Sequence, residues 1–150
     1  NKVKYVIDKV CLIHSVDSIK LMDEIERQAQ KHNLVMDVLI QVNISGEETK
    51  SGIKKEELED LLLHAGKLEH VKVKGLMTIA PKTDNSVTNI LHFDNMRRLF
   101  IDIQQKKYDN VNMVYLSMGM SGDFETAIEC GANMVRVGSA IFGERNYSQK

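Results

Sequence analysis

Val38-Leu39-Ile40-Gln41-Val42-Asn43 is an almost unbroken apolar run of strand length, the pattern of a strand covered on both faces within a parallel sheet. Upstream, Val10-Cys11-Leu12-Ile13-His14 reads as another strand. Between the two, Asp17 and Ser18 offer an amino-terminal cap to a helix that carries Ile19, Met22, Ile25 and Ala29 on one face. Downstream, a Gly-Glu-Glu loop leads to a helix from Lys54 to Ala65, with Leu58, Leu61, Leu62 and Ala65 at helical spacing and Gly66 as its stop.

The alternation continues to the end of the chain. Val73 to Ile79 is a strand closed by Ala80-Pro81, and a long helix runs from Ser86 to Gln104 with Ile90, Phe93, Leu99, Phe100 and Ile103 as its apolar set. Val111 to Leu116 is the next strand, Phe124 to Cys130 a short helix, and Met134 to Val137 the last strand. A weak helix from Lys2 to Ile7 precedes the series. Strands separated by helices take right-handed crossovers and form a parallel α/β sheet. Two architectures fit these parallel βα repeats: an open doubly wound sheet, or part of a TIM (β/α)₈ barrel. A whole barrel needs at least about 200 residues, so the predicted strands would leave it incomplete.

Composition excludes several function classes. In 150 residues, 20 Lys and Arg face 21 Asp and Glu, and the basic pairs sit beside acidic neighbours, so no basic surface for nucleic acid is expected. No apolar run is long enough to span a membrane and no signal peptide is evident, which points to a cytoplasmic protein. Cys11 and Cys130 have no metal-ligand spacing and read as reduced core thiols. Asn43-Ile-Ser45 and Asn146-Tyr-Ser148 match glycosylation acceptors, a match without meaning in the absence of secretion. The opening Asn1-Lys2-Val3, without methionine, suggests a fragment or processed chain.

Two stretches can carry chemistry. Leu116-Ser117-Met118-Gly119-Met120-Ser121-Gly122-Asp123 joins a strand to a helix; its glycines permit close approach to a ligand, its serines offer hydroxyls, and the helix start offers free N–H groups, a combination suited to phosphate. A plain βα turn with a Ser or Asp cap explains it equally well. Val135-Arg136-Val137-Gly138-Ser139-Ala140-Ile141-Phe142-Gly143 places an arginine inside an apolar run, which is costly unless it is paired. A structural ion pair or a ligand contact would both answer that cost. Phosphate in TIM barrels is often held by the loops after the last two strands. Together, the two stretches suggest a small phosphorylated ligand with Arg136 facing its ring. His14 ends a strand and either faces a site or is an interior histidine, while Met77 and Met120 sit at strand ends. No metal-ligand spacing and no HExxH, GxSxG or Walker-type run is present.

Asn43-Ile-Ser-Gly-Glu-Glu-Thr-Lys-Ser-Gly-Ile53, Gly75-Leu-Met-Thr-Ile79, Leu116 to Ser121, Val135 to Gly143 and the closing Gly143-Glu-Arg-Asn-Tyr147 resemble, in order along the whole chain, the signatures of the pyridoxal phosphate homeostasis (YggS/PROSC) family. The resemblance implies a partial barrel of the alanine racemase amino-terminal type, lacking its first strands, and corresponds to the carboxy-terminal portion of such proteins. It implies a non-catalytic carrier of pyridoxal 5′-phosphate. Carried over by position, Ser121, Gly138 and Ser139 would hold the phosphate with Ser117 nearby, Arg136 would point at the pyridine nitrogen, and Asn1, His14 and Met77 would line the ring.

Guanidinium is donor-only and stays charged, so an arginine there would keep the ring nitrogen unprotonated and weaken the ring as an electron sink. The family's Schiff-base lysine lies upstream of the equivalent of Asn1. Lys72 and Lys74 are expected at the opposite end of the barrel, so the chain alone is expected not to bind the cofactor covalently. Uncovered sheet edges predict self-association or strand swapping. A racemase-like or decarboxylase enzyme, and a half-barrel fragment or engineered piece without any ligand, are the competing readings.

Overall fold

A computed structural model describes residues 1–81 and 86–143, with the backbone alone given for Ser86. The carboxy-terminal part of the Gly143–Tyr147 motif and the Asn146 acceptor match lie outside the described residues. The elements are α1 (Val3–Val6), β1 (Leu12–Val16), α2 (Ile19–Lys31), β2 (Met36–Gln41), α3 (Leu58–Ala65) after a 3₁₀ turn at Lys55–Glu57, β3 (Val71–Met77), α4 (Ser86–Gln105), β4 (Val111–Met120), α5 (Phe124–Glu129), β5 (Met134–Arg136) and α6 (Ser139–Phe142).

All strand pairs are parallel, and the spatial order β1-β2-β3-β4-β5 follows the chain without reversal. A doubly wound sheet reverses its order at a switch point and carries helices on both faces. Neither occurs among the described residues: the strands curl in one direction into a half-barrel, with one continuous helix-side core. That core contains Met22, Ile25 and Ala29 of α2, Leu58, Leu61 and Leu62 of α3, and Phe93, Met96 and Phe100 of α4, packed on Val38, Ile40, Val73, Leu76, Leu116 and Met118 of the strands.

Side chains alternate across a strand, so the residues between those core positions face the concave side. Leu39, Gln41, Met77 and Ser117 lie there, and each is buried. Gln41 pairs in register with Met77, and Met77 with Ser117, which forms a row across three strands near their carboxyl ends.

Local chemistry explains the elements. The Ser18 hydroxyl accepts from the Leu21 N–H at 3.3 Å and caps α2. Two histidine–carboxylate contacts tie α2 to the next βα unit: His64 Nε2 to Asp23 at 2.6 Å, and His70 Nδ1 to Glu26 at 3.0 Å. Gly75 (φ +156°) lies at a register shift between β3 and β4, where an added Cβ would run into the backbone of Tyr115. Lys72 stands opposite Asp37 and donates to Asn110, at the amino-terminal end of the sheet.

Several boundaries differ from the sequence reading. The first three strands begin and end about two residues away from the apolar runs, because pairing with the neighbouring strand sets the register. Val42 leaves β2 to bridge Ile53. β4 runs on to Met120, so Ser117 to Met120 belong to a strand and not to a loop. Cys11 is exposed, not a core thiol. In α4 the buried face runs through Asn89, Phe93, Met96, Phe100 and Ile103, and Ile90 is turned outward.

Phe93 is fully enclosed between α4 and the sheet. Phe93→Ala should cost about 3–5 kcal/mol in urea denaturation. Exposed Leu63→Ala on α3 should stay within about 0.5 kcal/mol.

Candidate functional site

The carboxyl ends of the strands gather a set of polar groups. Thr78, fully buried just after β3, donates its hydroxyl to the Val42 carbonyl at 2.8 Å and its N–H to the Ser117 carbonyl at 3.0 Å. These bonds tie the ends of three adjacent strands together. Arg136, at the end of β5, reaches across β4 and donates from Nη2 to the Thr78 carbonyl at 3.3 Å. Its Nε is buried and has no hydrogen-bond partner. Burial pushes the Arg136 guanidinium below its ordinary range, and the charge of Asp123 opposes that shift.

His14 approaches the same place from β1, with Nδ1 3.4 Å from the Ser117 hydroxyl. Burial lowers its pKa, and the neighbouring positive charge of Arg136 lowers it further. The imidazole is therefore biased toward its neutral form.

Next to this cluster, the β4–α5 turn meets the start of α6. Ser121 Oγ accepts from the Gly138 N–H at 3.0 Å and from the Ala140 N–H at 3.2 Å. Two backbone donors thus converge on one oxygen, an arrangement that suits an anionic oxygen as well as a hydroxyl. Gly119 (φ +96°) makes the turn compact, since an added Cβ would stand 2.6 Å from the Cβ of Ala127. α5 is therefore held tightly against β4.

The structure brings His14, Met77, Ser117 and Arg136 to one end of the concave side. Ser121, Gly138 and Ser139 stand in the adjoining turn. Gly138 caps α6 and Ser139 is its exposed first residue. Asn1 lies apart, in a surface groove lined also by Lys2, Tyr5, Ser18, Leu21 and Arg27. No hydrogen bond joins it to the cluster among the described residues.

Sequence reasoning passed over Gln41, Thr78 and Asn89 and gave Asp123 another role. Gln41 hid inside an apolar run, where its period-two position assigns it to the concave side. Thr78 gave no signal, because its role depends on strands joined only in three dimensions. Asn89 falls on the apolar period of α4 extended back from Phe93. Asp123 was read as a cap, and its carboxylate in fact accepts from the Met120 N–H at 2.7 Å and from Asn89 Nδ2 at 3.3 Å.

One loop stands on the same rim. Asn43 Nδ2 donates to the carbonyls of Glu47 (2.8 Å) and Lys50 (3.3 Å), while its Oδ1 accepts from the Ser45 hydroxyl (3.2 Å) and the Gly46 N–H (3.1 Å). The segment from Asn43 to Ile53 is organised around that one amide.

Comparison with known proteins gives a consistent picture. The family described as "Alanine racemase, N-terminal domain" matches residues 1–146. A protein of Aquifex aeolicus named pyridoxal phosphate homeostasis protein is 50% identical over 147 residues, covering 98% of this chain and 64% of its own. PipY of Synechococcus elongatus, solved with PLP bound, superposes with a TM-score of 0.84 at 29% identity, covering 95% of this chain and 66% of PipY. Alanine racemase of Corynebacterium glutamicum shares the fold, with a TM-score of 0.62 at 17% identity, over all of this chain and 41% of the enzyme. The chain therefore spans less than two thirds of the length of these relatives. No described helix is long and apolar enough to cross a membrane.

The lowered pKa of His14 has a stability consequence. The unfolded chain takes up a proton at the ordinary value of 6.5, before the folded chain does. The stabilising contribution is therefore complete above that pH, declines as pH falls through the interval down to the lowered folded value, and levels off below it. Urea midpoints measured at about pH 7.5 and about pH 5 should differ less for His14→Gln than for the parent chain.

Proposed function

Because the chain belongs to the family of the alanine racemase N-terminal domain, we propose that it binds pyridoxal 5′-phosphate at the carboxyl ends of its strands and serves intracellular homeostasis of that cofactor as a carrier. Arg136 carries the proposal. Its Nε is a buried donor without a partner, and its Nη2 is anchored on Thr78. A buried unpaired N–H is costly, and an acceptor such as a ring nitrogen would relieve it. The residues present fit the cofactor in charge and in hydrogen-bonding type.

In this reading a phosphate oxygen takes over, from the Ser121 oxygen beside it, the N–H groups of Gly138 and Ala140, the Ser121 hydroxyl turns to donate to the same phosphate, and Ser139 adds a second hydroxyl at its edge. Arg136 faces the pyridine nitrogen. His14, held beside Ser117, and Met77 shape the wall on which the ring rests, and Asn1, which lies apart, takes no part. When bound, pyridoxal phosphate supplies a reactive aldehyde and a ring that can accept electrons. A charged donor at the ring nitrogen disfavours its protonation and so weakens that capacity, which suits retention more than turnover.

Lys72 is engaged with Asn110 at the far end of the sheet, away from this cluster. The localisation that accords with this role is cytoplasmic.

Titration of the chain with pyridoxal phosphate, followed by absorbance and fluorescence, should give saturable binding without a lysine adduct that borohydride traps. Arg136→Leu and Ser121→Ala should each weaken binding by about tenfold, the effect of one lost charged or paired hydrogen bond. Absence of saturable binding by the parent chain would refute the cofactor assignment, and a stoichiometric trapped lysine would refute the non-covalent mode.

The sheet ends on β1 and β5, each paired on one side only among the described residues. Such edges recruit further strands. In this reading they join a second copy of the chain or further strands of a longer one. Light scattering of the 150-residue chain should give a mass above that of the 17.0 kDa monomer, and a strictly monomeric species would remove self-association from the proposal.

A further inference from the structure

The turn that carries Ser121 is held by a side chain that does not itself face the α6 N–H groups. Asp123 Oδ1 accepts from the Met120 N–H at 2.7 Å, while the Asp123 N–H donates to the Met120 carbonyl at 3.1 Å. Met120 is also the β4 residue in register with Arg136. One carboxylate thus fixes the peptide that precedes Ser121 and, through the strand ladder, the place where Arg136 leaves β5. Asp123 Oδ2 is held from the other side by Nδ2 of Asn89, at 3.3 Å, from the first turns of α4. Asn89 is 7% exposed, and its Oδ1 is buried without a partner.

A buried amide with half of its capacity unused is an expensive way to satisfy one aspartate oxygen. Ordinary capping of α5 does not require it, because Asp123 already lies at the cap position and its other oxygen already closes the turn. The second tether makes sense where the direction of the turn matters. Ser121 lies two residues from Asp123, and its hydroxyl meets the Gly138 and Ala140 N–H groups at 3.0 and 3.2 Å. A turn hinged on one bond could swing that hydroxyl away from both donors, whereas a turn held at both carboxylate oxygens cannot.

We infer that Asp123, braced by Asn89, is a positioning residue for the phosphate subsite: it touches no ligand and acts by holding Ser121 against the start of α6 and Arg136 in register at the end of β5. This rests on the proposal that a phosphate group is received there. The carboxylate also supplies an opposing charge to a guanidinium that burial disfavours, which adds an electrostatic reason for an acid at this position.

Four variants test the arrangement: Asp123→Ala, Asp123→Asn, Asn89→Ala and the exchange Asn89→Asp with Asp123→Asn. The probes are pyridoxal phosphate by fluorescence titration and inorganic phosphate as its competitor, with thermal melting by circular dichroism in parallel. Asp123→Ala should weaken both ligands by about tenfold or more. Asp123→Asn should recover most of that loss, because its Oδ1 still accepts from Met120 and the Asn89 amide can turn its unused oxygen toward the new NH₂ group. Asn89→Ala should fall between the two. The exchange, which restores an acid–amide pair in reverse order, should bind better than Asn89→Ala.

Equal phosphate affinity of Asp123→Ala and the parent chain would overturn the inference. So would losses that simply follow the melting temperature across the four variants, since that is the behaviour of a merely structural cap. If Asp123→Ala does not fold, the order of the remaining three decides: binding retained in Asn89→Ala and lost in Asp123→Asn contradicts the brace. A parent chain that binds neither probe refutes the phosphate site itself, and the inference with it.

Discussion

A guanidinium partly withdrawn from water must find acceptors or pay for their lack, and the carboxyl end of this half-barrel is arranged around that demand. Arg136 lies along the rim from β5 to the end of β3, where the Thr78 carbonyl accepts from it. Thr78 can serve only because its own hydroxyl and N–H are committed to Val42 and Ser117. The strand ends are thus locked independently of the arginine, whose buried Nε is left without a partner. His14, biased neutral by burial and then by the same positive charge, adds no second cation to the cluster.

The half-barrel architecture makes this convergence possible. Parallel strands in sequential order place every carboxyl end on one rim, and the period-two alternation gives each strand a concave-side residue at nearly the same height. Gln41, Met77 and Ser117 form such a row. The helices occupy the opposite side with a conventional apolar core, so that core and the polar cluster of His14, Ser117 and Arg136 are assigned to different faces of the same strands. Families that share this fold can then vary the rim while the helix-side core stays constant.

Much of this was legible in the linear chain. The alternation of apolar runs with helical periods identified every strand and the principal helices, and Leu58, Leu61, Leu62 and Ala65 occupy the buried face of α3 that their spacing indicates. Strand limits were displaced by about two residues because register is set between strands, not within one. Composition could not tell whether Ser117 to Met120 form a loop or a strand end, since glycine is at home in both; the pairing of Ser117 with Met134 and of Met120 with Arg136 decides the matter. Arg136 announced itself as a charge within an apolar run. Thr78 and Gln41 could not, because their importance comes from which strand lies alongside.

The amide of Asn43 gathers four hydrogen bonds from Ser45, Gly46, Glu47 and Lys50. A loop wound about a single hub cannot lengthen or shorten by one residue at a time within that span, since every spoke would miss its partner together. An insertion between Asn43 and Lys50 would therefore cost several bonds at once, whereas one beyond Lys50 would spare them, so this short surface segment is, against the habit of loops, an all-or-none winding.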